Sequence, residues 1–293
     1  MTSSAQTSSP TNQLGRRFLD AQVRVEAVSK VFSSEPGLFA SLRRLPRTGY
    51  VALRDASLNI EKNTFVSIIG PSGCGKSTLL NLIAGLDSPS AGQILVEGER
   101  VRGPGPDRGI IFQNYALMPW LTALGNVEYA VESACPELSR RQARERAREY
   151  LTLVGLERAM HRYPKQISGG MKQRVAIARA LSIKPRILLM DEPFGALDAL
   201  TRSYLQEGVL RIWEENRLTV VLITHSIEEA LLLSDQIVLM SRGPAARIAE
   251  VINLPPLRPR QRSVVEQHPD FVSIKLRLEE HLLNETRAVE EHT

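Results

Sequence analysis

Residues 65–86 read FVSIIGPSGCGKSTLLNLIAGL: an apolar strand, a glycine-rich turn and a helical run follow one another directly. The turn fits the pattern G-x-x-x-x-G-K-[S/T], which between a strand and a helix is typical of phosphate binding. Glycines let the backbone curl so that its N–H groups and the positive end of the next helix face phosphate oxygens. The predicted phosphate-binding residues are Gly70, Pro71, Ser72, Gly73, Cys74, Gly75, Lys76, Ser77 and Thr78.

Side chains of this turn and of a later strand predict that the protein binds and hydrolyses a nucleoside triphosphate. Lys76 is expected to reach the β and γ phosphates of a nucleoside triphosphate, and the Ser77 hydroxyl to ligate Mg²⁺. Asp191 ends the apolar run ILLMD and is expected to complete the metal site. A turn or helix-cap role is the alternative for Asp191, but the four apolar residues before it and Glu192 after it favour the metal. Glu192 is then the predicted general base or water-positioning group of a nucleoside triphosphatase.

Runs rich in branched apolar residues alternate with helical patterns, which predicts an α/β fold with a mainly parallel sheet. The runs are Phe65 to Ile69, Gly109 to Phe112, Ile187 to Met190, Thr219 to Ile223 and Gln236 to Met240. Residues 114–182 carry helical patterns without a convincing strand, so we expect a helical insert there. Ser139 with Gln142, and Ser226 with Glu229, match capping boxes that begin helices.

Composition narrows the class of protein. The chain has 293 residues, of which 43% are hydrophobic and 24% charged, and its net charge is +5. No uninterrupted apolar run approaches the roughly 20 residues of a membrane-spanning helix. The basic segments 140–148 and 258–262 lack interleaved aromatic residues, so we expect a solvated helix face and a solvated tail rather than a nucleic-acid surface.

Both ends of the chain differ from its centre. Residues 1–20 are predicted to be a disordered tail, because polar residues follow Arg16-Arg17 where an export signal needs an apolar segment. Residues 254–293 form a predicted C-terminal tail carrying an amphipathic helix. One face of that helix holds Phe271, Ile274, Leu278 and Leu282. Cys74 and Cys135 are too few for a disulfide framework, which fits a reducing compartment.

Five further motifs occur in a fixed order: Gln113 in IIFQN, the ISGGMKQR segment at 167–174, Asp191-Glu192, Asp198 in GALDA and His225 in VLITHS. Together with the phosphate loop they resemble the ATP-binding subunits of ABC transporters over about residues 21–253. The resemblance implies a P-loop NTPase (ABC ATPase) core with a mainly parallel sheet and a helical subdomain at about 114–182. It also implies an antiparallel β part near the N-terminus.

The ISGG segment provides a second anion-binding feature. Ser168, Gly169 and Gly170 open a helix, so their amides can bind phosphate. The resemblance implies that this segment faces the phosphate loop of a second ATP-binding subunit, identical or not, with ATP between them. By itself, SGG is more typical of a turn before a helix.

The same resemblance gives the remaining roles in the site. Gln113 is expected to sense Mg²⁺, as a metal ligand, and the attacking water. His225 is expected to contact the γ phosphate and to orient Glu192, and Asp198 to link the two sites of a dimer.

The residue that stacks on adenine is open between two aromatics. Phe32 in AVSKVF matches the family position best, but the segment 33–50 is longer than the family pattern, which leaves Tyr50 as the alternative. Packing in the core is a further alternative for Phe32. Met171 also departs from the pattern, which commonly has Gln there, and Asn63 replaces a glycine in a turn that needs positive φ.

Segments 112–122, 163–181 and 191–202 look closest to importer subunits for nitrate, nitrite, cyanate or bicarbonate; taurine and alkanesulfonate importers are the alternative. A soluble ABC ATPase of DNA repair is a rival class, but such a protein should carry long heptad insertions between the phosphate loop and the ISGG segment. Only about 90 residues, without heptads, separate these two motifs here.

The resemblance to importer subunits implies transmembrane permease subunits as partners, and an extracytoplasmic solute-binding protein that acts indirectly. It also implies a peripheral location on the cytoplasmic face of the inner membrane. The apolar stretch 115–121 is the predicted permease-docking surface with Trp120 as its anchor. Packing of Trp120 in the helical core is the alternative.

Overall fold

The computed structural model describes residues 21–33, 49–195, 197–216, 218–258 and 260–287. Its strands are β1 (Ala21–Ser33), β2 (Gly49–Glu61), β3 (Phe65–Ile69), β4 (Ala91–Val96), β5 (Glu99–Arg100), β6 (Arg108–Ile111), β7 (Ile187–Asp191), β8 (Thr219–Ile223), β9 (Gln236–Met240) and β10 (Ile248–Asn253). Its α-helices are α1 (Lys76–Ala84), α2 (Ala123–Ala134), α3 (Arg140–Leu153), α4 (Gly169–Ser182), α5 (Ala199–Asn216), α6 (Ile227–Leu233), α7 (Arg262–Gln267) and α8 (Pro269–Arg287).

The larger sheet has the strand order β10-β9-β3-β8-β7-β6. Its strands are parallel except β10, which pairs antiparallel with β9. Every residue of β3 and of β8 is buried, as expected of strands covered on both faces. The predicted parallel sheet is therefore confirmed, with β6 beginning and ending one residue earlier than expected. Because parallel strands end at the same edge, the residues after β3, β6, β7 and β8 lie together.

The smaller sheet confirms the expected antiparallel part near the N-terminus. Its strand order is β2-β1-β4-β5, and all of its pairings are antiparallel. One apolar core contains buried residues of both sheets and of α1, among them Val25, Ile68 and Leu80. Asn63, in the turn between β2 and β3, has φ 58°, the positive value expected there.

The stretch 114–182, which is described throughout, holds α2, α3, α4 and two short 3-10 turns, and no strand. Ser139 and Gln142 form the predicted capping box at the start of α3. Val175, Ala176 and Ile177 of α4 are buried in the core shared with the larger sheet. The helix α4 thus connects α2 and α3 to the larger sheet.

The C-terminal helix α8 packs against the body of the protein. Phe271 and Leu278 are fully buried, and Ile274 and Leu282 pack beside them. The amphipathic face expected from the sequence is the face that is buried.

The expectation of a solvated basic tail at 258–262 is wrong for two of its arginines. Arg258 donates hydrogen bonds to Asp235 and to the Leu233 carbonyl. Arg260 is buried, with its guanidinium 5.3 Å from the centre of the Phe271 ring. A guanidinium can pack flat on aromatic rings while its N–H groups bond to carbonyls, and a charge count along the sequence misses this.

Two predictions fall outside the described residues: the tail 1–20, and most of the segment 33–50, whose residues 34–48 are not described. Among the helices that are described, none combines the length and the apolarity needed to span a membrane.

Candidate active site

The phosphate loop joins β3 to α1 through two glycines in left-handed conformations. Gly73 has φ 76° and Gly75 has φ 96°. A Cβ on Gly75 would lie 2.9 Å from a methyl carbon of Leu53, so this position has neither the dihedral nor the space for a side chain. Leu79 N donates to Gly75 O at 2.9 Å, and the amides before it precede the helical hydrogen bonds of α1. These amides form an anion cradle.

The ammonium of Lys76 lies over this loop. Its Nζ atom donates to the carbonyls of Gly70 and Pro71, at 2.8 Å each, and lies 3.9 Å from the Cys74 Sγ atom. Both Lys76 and Cys74 are buried. The positive charge is therefore held where the loop would receive phosphate.

Asp191, at the end of β7, lies close to Ser77 in the first turn of α1. Burial raises the pKa of the Asp191 carboxyl, while the Ser77 hydroxyl and the Lys76 charge oppose that rise. A hydroxyl and a carboxylate are the hard oxygen ligands that Mg²⁺ prefers. In the described residues no cluster of three or more His, Cys, Asp or Glu side chains could hold a metal. The Ser77 hydroxyl and the Asp191 carboxylate are therefore the groups that would hold Mg²⁺ here.

The side chains of the three candidate catalytic residues, Gln113, Glu192 and His225, lie close together. Gln113 Nε2 donates to Glu192 Oε2 at 3.1 Å, and His225 Nδ1 lies 3.6 Å from Glu192 Oε1. Glu192 has φ 47°, an unfavourable value for a side-chain-bearing residue, and its N–H is held by the Ile223 carbonyl at 3.0 Å. The ends of β6, β7 and β8 thus bring together residues as far apart in sequence as Gln113 and His225, which are 112 positions apart.

The ISGG segment begins α4 as expected. The Ser168 hydroxyl accepts from Met171 N at 3.3 Å, and Gly169 is exposed. A Cβ on Gly170 would lie 3.1 Å from Leu197 Cδ2, which makes this approach close for any larger residue. Ser168 and Gly169 present the start of a fourteen-residue helix at the surface.

Asp198 precedes α5 and is exposed. Its carboxylate accepts from Thr201 N at 3.0 Å, and this backbone hydrogen bond lowers the pKa of Asp198. Arg202 donates to the Leu197 carbonyl at 3.0 Å and so braces the same turn.

The two candidate adenine-stacking residues are neighbours. Phe32 and Tyr50 face each other across β1 and β2, and 44% and 51% of their surfaces are exposed. The Lys30 ammonium lies 5.0 Å from the Phe32 ring. Both aromatic rings are therefore accessible from solvent, and the alternative that Phe32 packs in the core is wrong.

Comparison with known proteins identifies the family. Residues 53–195 match the family described as ABC transporter. The nitrate import ATP-binding protein NrtD of Synechococcus elongatus is 52% identical over 230 residues, which cover 78% of this chain and 84% of the relative. The chain belongs to the ABC transporter family.

Other relatives of this ABC ATPase carry anion-import names. The bicarbonate transport ATP-binding protein CmpD of Synechocystis sp. is 45% identical over 269 residues, covering 92% of this chain and 90% of the relative. The nitrate import ATP-binding protein NrtC of Synechococcus elongatus is 52% identical over 245 residues, which span only 37% of its length.

Solved structures agree with the fold. A dimeric bacterial ABC transporter cassette superposes with a TM-score of 0.70 at 34% identity, covering 80% of this chain and all of that one. A dimeric ATP-binding cassette in a post-hydrolysis state, bound to ADP and Pi, gives 0.69 at the same identity and coverage. The ABC ATPase fold expected from the sequence is confirmed.

In this ABC ATPase the loop after Gln113 is held by two residues that the sequence analysis did not single out. Arg179 of α4 donates to the carbonyls of Tyr115, at 3.0 Å, and Ala116, both of which have positive φ. Burial lowers the pKa of the Arg179 guanidinium. Asn126 of α2 is buried and bonds the backbone of residues 118–122.

These clamps present Trp120 to solvent. Its side chain is 71% exposed, so the alternative that it packs in the helical core is wrong. No local pattern marks Arg179 or Asn126, because their partners are carbonyl oxygens, which every residue carries.

Proposed function

We propose that this chain is the ATP-hydrolysing subunit of an ABC importer for a small inorganic anion, nitrate or nitrite, or bicarbonate. The observation that carries the hydrolytic part is the contact of Gln113 and His225 with Glu192, next to Asp191. The anion is supported by the relatives, whose names give nitrate and bicarbonate, and these favour the first importer group over taurine and alkanesulfonates.

In this proposal the triphosphate of ATP lies along the amide cradle, with Lys76 beside its β and γ phosphates. Ser77 and Asp191 hold Mg²⁺, which neutralises charge on the phosphate oxygens. Glu192 orients the attacking water and accepts its proton, while Gln113 and His225 fix the direction of the carboxylate. Phe32 or Tyr50 supports the adenine ring.

A second ATP-binding subunit completes each site. Ser168, Gly169 and Gly170 offer an exposed helix start, whose positive end suits the phosphates held by the partner subunit. Asp198 lies at the turn before α5, from where it can link the two sites. The dimeric cassettes with the same fold support this arrangement.

The permease is the other partner. The clamped loop 115–122 carries the exposed Trp120, and a large exposed aromatic on a rigid loop suits a helix docked in a groove. The subunit would then lie on the cytoplasmic face of the inner membrane, and a solute-binding protein would act through the permease.

Hydrolysis is tested with Glu192→Gln and Lys76→Ala, and the matched control is Glu207→Gln on an exposed part of α5. We expect Glu192→Gln to bind ATP, to hydrolyse it at least about 100-fold more slowly and to accumulate as a closed dimer. Lys76→Ala should lose ATP binding, and Glu207→Gln should match the wild type. Near-normal turnover by Glu192→Gln would refute its role.

The substrate is tested in proteoliposomes that contain the permease and its binding protein. ATP hydrolysis is measured with nitrate, bicarbonate or taurine. Stimulation by nitrate or bicarbonate alone supports the proposal, and stimulation by taurine alone contradicts it.

Docking is tested with Trp120→Ala, with Tyr129→Ala as control, since Tyr129 is 50% exposed on α2. We expect Trp120→Ala to keep its thermal stability and to lose copurification with the permease. Normal assembly of this variant would remove the docking role.

A further inference from the structure

A buried carboxylate stands one turn beyond His225. Glu229, on α6, is buried, and the sequence pattern predicts that it closes a capping box with Ser226. Only half of that box forms: Glu229 N donates to Ser226 Oγ at 3.2 Å, but Ser226 N donates to Thr224 Oγ1 at 3.0 Å. The carboxylate is therefore released from capping and turns into the protein.

One oxygen of this carboxylate holds the residue before His225. Thr224 Oγ1 donates to Glu229 Oε2 at 2.6 Å, a short hydrogen bond of the kind that ionised acceptors make. Since Ser226 is bonded to the Glu229 backbone, both neighbours of His225 are attached to the same residue. The His225 side chain itself is largely exposed and points towards Glu192.

The other oxygen reaches α5, the helix that Asp198 precedes. Gln206 Nε2 donates to Glu229 Oε1 at 3.2 Å, and Arg202 Nε lies 3.9 Å from the same atom. The orientation of the Gln206 amide is fixed because its oxygen accepts from Arg262 at 3.1 Å. Arg202 N in turn donates to the Asp198 carbonyl at 2.9 Å.

Burying the Glu229 carboxylate is energetically unfavourable, and the packing of the core does not require a charged residue there. Burial raises the pKa of the Glu229 carboxyl, and its hydrogen bonds and the charge of Arg202 act against that rise. Apolar side chains of similar volume commonly stabilise a core at least as well as a buried charged cluster. A buried carboxylate that bonds both the residue before His225 and the helix that follows Asp198 therefore points to a role in the geometry of these two segments.

We propose that Glu229 is the positioning residue of the histidine loop: it fixes His225 relative to Glu192 and sets that loop in register with the Asp198 turn. Glu229 does not touch the nucleotide in this arrangement and acts through His225. The inference rests on the role that the proposed function gives to His225.

The experiment compares Glu229→Ala and Thr224→Val with the control Glu228→Ala, using the full-length subunit. Thr224→Val keeps the side-chain shape and removes the hydroxyl that donates to Glu229 and accepts from Ser226 N, whereas Glu229→Ala leaves that second hydrogen bond in place. Glu228 is adjacent on α6 and exposed; it pairs with Lys275 at 3.1 Å and accepts from Ser226 Oγ at 3.2 Å, so its removal controls for the loss of a carboxylate that bonds neither Thr224 nor α5. The measurements are kcat and KM for ATP, nucleotide affinity by filter binding, and the thermal midpoint.

We expect both cluster variants to lower kcat by about 10-fold to 100-fold, the scale of a side chain misplaced by about 1 Å. KM and nucleotide affinity should stay within about twofold, because the phosphate loop is untouched. Glu228→Ala should keep wild-type kcat. If the folded cluster variants keep wild-type kcat and only their thermal midpoint falls, Glu229 is merely structural and the proposal is overturned.

Combining Thr224→Val with His225→Ala distinguishes the positioning role of Glu229 from the catalytic role of His225. If Glu229 acts through His225, Thr224→Val should lower kcat no further in the His225→Ala background. Independent losses that multiply would overturn the positioning role and leave His225 catalytic. Full activity of His225→Ala alone would instead refute the site assignment of the proposed function. Should Glu229→Ala fail to fold, Thr224→Val carries the test.

Discussion

Replacing Asn126 by leucine should release the loop that carries Trp120. The Asn126 oxygen accepts from Met118 N at 2.8 Å, and its amide nitrogen lies 3.1, 3.2 and 3.0 Å from the carbonyls of Met118, Leu121 and Thr122. An amide nitrogen has two hydrogens, so these contacts amount to three hydrogen bonds. At about 1 kcal/mol each, the expected loss of unfolding free energy is about 3 kcal/mol.

Asn126→Leu keeps the number and branching of the side-chain heavy atoms and does not make the side chain smaller, so a cavity does not contribute to this loss. The free energy of unfolding is measured by denaturant titration with circular dichroism. The chain has two tryptophans, so in a Trp213→Phe background the fluorescence of Trp120 reports on the loop itself. We expect that signal to change at lower denaturant concentration than the helical signal in Asn126→Leu.

Tyr129→Ala is the matched control, because it changes an exposed residue on the same helix and should shift stability by at most about 0.5 kcal/mol. A loss below about 1 kcal/mol in Asn126→Leu, with both signals still coincident, would show that the amide does not hold the loop.

Three further predictions concern the phosphate site. Without nucleotide, Asp191→Asn should unfold at higher denaturant concentration than wild type at pH 7, because burial raises the pKa of Asp191 and the ionised form destabilises the folded state. This advantage should disappear as the pH falls towards the ordinary carboxyl value of 3.8, and an advantage independent of pH would contradict it. Gly75→Ala should cost about 1–2 kcal/mol of stability in a melt and should lose ATP binding, since φ is 96° there and a neighbouring methyl fills the Cβ position. Gly73→Ala, whose Cβ meets nothing within 4 Å, should retain more binding; equal loss in both would count against the steric argument. Saturating MgATP should slow the alkylation of Cys74 and leave the alkylation of Cys135 unchanged, as measured by mass spectrometry. Equal rates at Cys74 with and without MgATP would mean that this side chain only fills space in the loop.

Much of the fold could be predicted because its signals are local. Strands such as β3 and β8 are buried on both faces, so their sequences are continuous apolar runs. The phosphate loop needs glycines at fixed spacing, which fixes its motif in sequence. Glu192 and His225 follow predicted strands, and the parallel sheet places both at one edge.

The contacts that brace the site have no local signal. Glu229 fits a capping box, but competition from Thr224 and Gln206 for its carboxylate arises only in the folded chain. Arg260 lies in a segment that composition marks as solvated, yet it bonds the carbonyl of Leu231 in α6. Polar groups that bond to distant backbone atoms are invisible to a pattern search.

The helix α4 joins two surfaces to which the proposed function assigns different partners. Ser168 opens it, and Arg179, eleven residues later, holds the loop of Trp120, so about 16 Å of continuous helix separates the two ends. The helix has buried residues along its length and acts as a stiff rod. A tilt of about 5° at the Ser168 end therefore displaces the Arg179 end by about 1.4 Å, on the geometry of a rigid α-helix. In the proposed assembly, phosphate contact at the Ser168 end and permease contact at the Arg179 end would therefore be coupled through the rigid-body movement of α4.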